Sequence, residues 1–222
     1  MSVRKVLFLT LLINTAFILI GLLIGRPPEQ YFSKEASYIT WVSFFQLLLV
    51  AFFSLQVFKI RKGNNNYFWK NPSFLWLIIA IGFLFLSIDE VIRIHENLDR
   101  IIHKSFHMKE TALSDRIDDA LVGLYALIGI GTLYFYKSEL NKYRSVIVFF
   151  IVGFSLIFLM VFSEMIVNRN DVLPLIFSNK FVVNSLYSMF KVLEESFKLF
   201  AEAILITSMY YCLQVAKQLQ EN

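Results

Sequence analysis

Residues 192–205, VLEESFKLFAEAIL, place three glutamates and a lysine inside an apolar run that continues to Leu213. On a helix Glu194, Lys198 and Glu202 fall at i, i+4 and i+8, and Glu195 neighbours Lys198 and Glu202. A charge at bilayer depth costs roughly 2.5–3.5 kcal/mol on insertion scales, so each of these side chains should have a partner or a task. The run from 183 to 213 is longer than the roughly 20 residues that cross a bilayer. Its first turns are therefore expected to tilt, kink or project outward.

Working outward, five further apolar runs lie at about 6–25, 37–58, 73–93, 118–136 and 145–167. Each satisfies its own backbone hydrogen bonds in lipid only as a helix. The expected fold is all-α: a single transmembrane domain over 1–222, a bundle of six spans. The composition agrees, at 57% hydrophobic, 17% charged and 24 Phe. The N-terminal run follows a basic start but exceeds a signal-peptide core and lacks an A-x-A-like cleavage site, so it is read as a retained span. The single cysteine, Cys212, allows neither an intrachain disulfide nor a Cys-based zinc motif. The net charge of +4 comes from scattered basic residues, with no basic–aromatic run for nucleic acid.

Short basic loops around Arg61 and Lys142 are read as cytoplasmic, with both termini inside, and the chain is expected in the cell inner membrane. Trp69 and Trp76, with Tyr134, Tyr136 and Tyr143, are read as aromatic belts at the inner boundaries. The segment 61–73 reads as a loop. Residues 93–119 are expected to extend the third span outward as an amphipathic helix, and 167–180 to form an interfacial loop broken by Pro174.

With that orientation, four spans deliver acids to the outer level: Asp89, Glu90 and Glu96 on the third, Asp119 on the fourth, Glu164 on the fifth, Glu194, Glu195 and Glu202 on the last. Arg93 and Lys198 are the only cations counted against them, so some acids must be protonated, solvated or bound to a cation. Three readings follow. The first is internal neutralisation, which makes the chain a structural or partner-binding subunit. In the second, a divalent metal ion of the Zn, Mn or Fe class is held by His95, Glu96, Glu164, Asp89 and Asp119, with Asp99, His103 and His107 as a local alternative at helical spacing. The third is proton- or cation-coupled transport, against which stand the dry inner halves at 145–163 and 203–216.

An enzyme built on this site would be a hydrolase acting on a lipid or other membrane-linked substrate at the periplasmic or extracellular side. Glu194, Glu195 and Glu90 would supply acid–base groups, and Lys198 would stabilise negative charge. No G-x-S-x-G is present to support a serine nucleophile.

The block LSIDEVIRIHENL, the isolated Glu164 and the late LEESFKLFAEAIL resemble a group of bacterial multi-pass membrane proteins. Their pattern is D-E-x-x-x-x-H-E followed by L-E-E-x-x-E/K, and the resemblance covers about residues 80–205. It marks Asp89, Glu90, His95, Glu96, Glu164, Glu194 and Glu195, and implies a multi-pass fold without an assigned reaction. EESFK at 194–198 is also similar to the E-E-x-x-K element of PrsW-type intramembrane proteases and the E-E-x-x-x-R element of CAAX-protease-like proteins. Their further Glu, His and Asp/Asn motifs follow that element, whereas the histidines here precede it.

Overall fold

The computed structural model describes residues 1–25, 27–33, 37–62, 71–105, 117–167 and 172–221; the side chains of Ser33, Glu96, Val122 and residues 117–120 lie outside that description. All the described elements are helices: α1 (Val3–Ile24), α2 (Gln30–Ser33), α3 (Tyr38–Lys62), α4 (Phe74–Ile92), α5 (Ile94–Ser105), α6 (Ile117–Phe135), α7 (Lys137–Leu140), α8 (Arg144–Val167), α9 (Val172–Ile176) and α10 (Lys180–Glu221), with a 3₁₀ turn at Asn141–Tyr143. Five are long and apolar enough to cross a membrane: Val3–Ile24, Tyr38–Lys62, Phe74–Ile92, Lys137–Val167 and Lys180–Glu221. The sixth expected span corresponds to α6, of which the described apolar stretch is Gly123–Phe135.

Helix α10 is the axis of the bundle and packs against α8, α3 and α1, while α3 also packs against α4. At 42 residues and about 1.5 Å per residue it is about 63 Å long, roughly twice the hydrocarbon thickness of a bilayer. It is one continuous helix over that length. The main core joins Val50 and Val57 of α3, Leu75 and Trp76 of α4, Val146 and Phe150 of α8, and Leu205, Ile206, Met209 and Cys212 of α10. Gly153 lets α8 approach α10: a Cβ there would stand 3.2 Å from Leu205. The outer faces expose Phe8, Leu23, Leu127 and Phe158, which is the surface expected where the surrounding solvent is lipid.

Local chemistry explains the ends. Ser2 caps α1 by accepting from the Lys5 amide. The carbonyl of Met1 accepts from Tyr210 Oη at 2.6 Å and Gln214 Nε2 at 3.0 Å, so the start of α1 and the late turns of α10 share one end of the bundle. Three expectations change. The third span does not run on into the amphipathic segment, because Arg93 adopts a left-handed conformation, φ 56° and ψ 55°, and separates α4 from α5. Pro174 sits within α9 instead of breaking the chain; in a helix's first turn a missing N–H costs no helical hydrogen bond. Trp76 and Tyr143 are fully buried and pack edge to face at 4.7 Å, so they are core residues and not belt residues, while Tyr134 is exposed. Trp69 lies outside the described residues.

Beside that Trp76–Tyr143 contact, at the Met1 end, Glu139 is 1% exposed. Arg61 grips it with Nε 2.9 Å from Oε1 and Nη2 3.3 Å from Oε2, Lys142 Nζ lies 2.6 Å from Oε2, and Trp76 Nε1 donates to Oε1 at 3.4 Å. One carboxylate thus ties α3, α4 and α7 together.

Candidate functional site

At the other end, α4 finishes with two adjacent acids that part company. Successive helical residues point about 100° apart, so Glu90 meets α10 while Asp89 turns to α5. Lys198 Nζ lies 2.8 Å from Glu90 Oε1 and 2.7 Å from Glu195 Oε2, bridging two helices. One turn further along α10, Glu202 Oε1 accepts from Ser43 Oγ of α3 at 2.6 Å. Glu202 Oε2 is buried and has no hydrogen-bond partner among the described residues. Glu90, Glu195 and Lys198 all lie within electrostatic reach of Glu202. The side chains of Lys198, Glu90 and Glu195 keep 18%, 17% and 16% exposure, whereas Glu202 keeps 4%. The centre is graded from reachable to sealed.

A layer of amides holds the helices that carry it. Asn14 of α1 and Gln46 of α3 exchange hydrogen bonds at 2.6 and 3.3 Å, and Asn14 Nδ2 also donates to the Leu199 carbonyl at 2.5 Å. Ser43 and Gln46 are three apart on α3, as are Leu199 and Glu202 on α10, so this tie fixes the register that brings Ser43 to Glu202. The sequence reading missed Asn14, Ser43 and Gln46. Lone amides within long apolar runs were the available signal, since an amide in lipid seeks an interhelical partner.

Glu194 turns to a different partner, Lys191, whose Nζ is 3.0 Å from its Oε2. Lys191 is also within electrostatic reach of Glu164 on α8. It is a third cation, omitted from the count of acids against Arg93 and Lys198, and it lies one turn before Glu194 on the same helix.

Asp89 works locally. Its Oδ1 accepts from the His95 amide at 3.1 Å and its Oδ2 stands 2.8 Å from His95 Nδ1. The carboxylate therefore caps α5 and orients the imidazole. The break at Arg93 resets the helical register between Asp89 and Asp99. Within α5, His103 Nδ1 lies 3.0 Å from the Asp99 carbonyl and 3.1 Å from Asp99 Oδ1; His107 lies outside the described residues.

Of the five expected metal ligands, Asp89 and His95 pair with each other and Glu164 faces Lys191. The side chains of Glu96 and Asp119 lie outside the described residues. Among the described residues, no three His, Cys, Asp or Glu gather in a metal-ligating group. Of the four expected acid–base residues, the structure brings Glu90, Glu195 and Lys198 together and sets Glu194 on Lys191. If ionised, Glu90, Glu195 and Glu202 would outnumber Lys198 by two charges. In a buried site such an excess is met by protons or by cations from outside. The arrangement can accept, hold and release a proton.

No curated protein and no solved structure matches the chain. The profile of one family, described as "Domain of unknown function (DUF8692)", matches residues 6–213, and the chain belongs to that family.

Proposed function

We propose that this is a six-span protein of the bacterial inner membrane with both termini cytoplasmic, and that its carboxylate–lysine centre, open to the periplasmic or extracellular side, hydrolyses a lipid or membrane-linked substrate by acid–base chemistry. The single observation that carries this reading is the pair of carboxylates, Glu90 and Glu195, on the Lys198 ammonium, with Glu202 one turn further along α10 within electrostatic reach. Met1 resting on Tyr210 and Gln214 supports the topology, since first and last spans that end on one face require an even number of crossings, with α6 as the sixth. The basic loops around Arg61 and Lys142 support a cytoplasmic Met1 end.

In this reading Glu195 takes a proton from the attacking water, Lys198 stabilises negative charge forming on the substrate oxygen, and Glu90 holds the ammonium in place. A divalent metal on Asp89, His95, Glu96, Glu164 and Asp119 is the other form of the same proposal. It would polarise the substrate and activate water. It has less support because Asp89 uses both oxygens on His95. The neutralised cluster of Arg61, Glu139, Lys142 and Trp76 near the Met1 end gives transport less support, since its charges are already matched.

The test is turnover by protein reconstituted in vesicles bearing ester-, amide- and phosphoester-linked lipids, with a pH dye inside. Turnover that Glu195→Gln abolishes and a chelator leaves intact supports the metal-free form. Turnover lost to chelator supports the metal form. Proton flux without turnover would replace hydrolysis by transport.

A further inference from the structure

We infer that Glu202 is a buried proton-binding site, carrying an exchangeable proton on Oε2 in the resting protein, and that Ser43 is its positioning residue. Four observations converge. Glu202 is 4% exposed and Ser43 fully buried, in the middle of the helical bundle. The Ser43 hydroxyl donates to Oε1 at 2.6 Å, which makes Oε1 the carbonyl-like oxygen of the group. Oε2 has no donor among the described residues. The charged groups within reach are two acids, Glu90 and Glu195, and an ammonium that already lies 2.8 and 2.7 Å from those acids.

A bare carboxylate oxygen without a donor is the costliest form a buried acid can take, because burial penalises the charged state and the neighbouring acids repel it. A proton is the smallest occupant that removes the charge, and it turns Oε2 into a donor. The Asn14–Gln46 tie to Leu199 then matters to the chemistry as well as the packing, since it sets the depth at which Ser43 meets Glu202.

This inference deepens the acid–base reading and, in its catalytic consequence, rests on it. Because Glu202 is sealed, its Oε2 proton reaches the leaving atom of the substrate by way of the more exposed Glu195 as the scissile bond breaks. The proton that Glu195 takes from water then refills Glu202, so one water is consumed per bond cleaved and the site returns to its starting state.

The test is infrared spectroscopy of the purified chain in lipid nanodiscs at neutral pH, compared between H2O and D2O. The expected spectrum contains a protonated-carboxyl C=O band that shifts in D2O and disappears in Glu202→Gln. In Ser43→Ala the band should move to higher frequency, because its carbonyl loses a donor, and Ser43→Thr should restore it. A wild-type spectrum without the band overturns the inference, as does a band that survives Glu202→Gln. If Glu202→Gln does not fold, the Ser43 variants decide, and a band unmoved by Ser43→Ala overturns it. No substrate is needed, so the outcomes separate: the band without turnover removes the hydrolytic reading alone, and turnover without the band removes this inference alone.

Discussion

Glu139 and Glu202 are both nearly inaccessible glutamates in one helical bundle, but their surroundings differ in charge. Glu139 meets two cations and an indole N–H. Glu202 meets one hydroxyl, with two acids and an already engaged lysine beyond it. From Arg61 at the Glu139 cluster to Ser43 at the Glu202 cluster is 18 residues of α3, about 27 Å at 1.5 Å per residue. The balanced end locks helices together and has little capacity to change state. The acid-rich end keeps groups whose needs the fold leaves unmet, and chemistry becomes available there. Burial alone does not mark a site; burial with an unmatched charge count does.

The comparison implies an order of effects. Glu139→Ala should be the most damaging, at about 3–5 kcal/mol, because it leaves the Arg61 guanidinium without its carboxylate in a largely buried setting. The check is unfolding of the reconstituted protein in denaturant. Lys198→Met should cost less, about 1–3 kcal/mol at neutral pH, since the stranded acids can take up protons. Its deficit should also shrink as pH falls. The folded variant would hold protons that the unfolded chain releases near neutrality, and a state that binds more protons gains stability on acidification. A deficit that grows on acidification would break the comparison. The Glu139→Ala deficit should stay constant from pH 7 down to about 5, because above the carboxylate range both arginine and glutamate keep their charges.

Smaller effects sharpen the contrast. Gln46→Leu removes one interhelical amide pair and should cost about 0.6–2 kcal/mol in a lipid environment, read from the same unfolding curves. Glu202→Gln should be nearly silent in stability, within about 0.5 kcal/mol, because the amide oxygen can still accept from Ser43. Near-wild-type folding with lost turnover is the expected pattern for Glu202→Gln, and a loss as large as that of Glu139→Ala would make Glu202 a second structural clamp.

Apolar run length made the helices legible in the sequence, since lipid leaves the backbone few alternatives. The same signal marked α6, whose described apolar stretch is Gly123–Phe135. The break at Arg93 was hidden, because a left-handed arginine has no local signal comparable to a glycine or proline. That one residue separates the register of α5 from that of α4. Pooling of acids at one end was readable from their positions along the spans. Their partners were not, because pairing depends on helix rotation: Lys198 could be seen near Glu195 from spacing, but its bond to Glu90 comes from how α4 meets α10. Lys191 escaped notice because the spacing argument began at Glu194. Asn14, Ser43 and Gln46 sat in spans read only for charge.

The most direct test of the shared ammonium is a double-mutant cycle on Glu90→Gln and Lys198→Met, measured by equilibrium unfolding in lipid nanodiscs. The expected result is that the double variant loses less stability than the sum of the two single losses, with a coupling of about 1–3 kcal/mol. Strictly additive losses would mean that the two side chains do not meet, and would contradict the account.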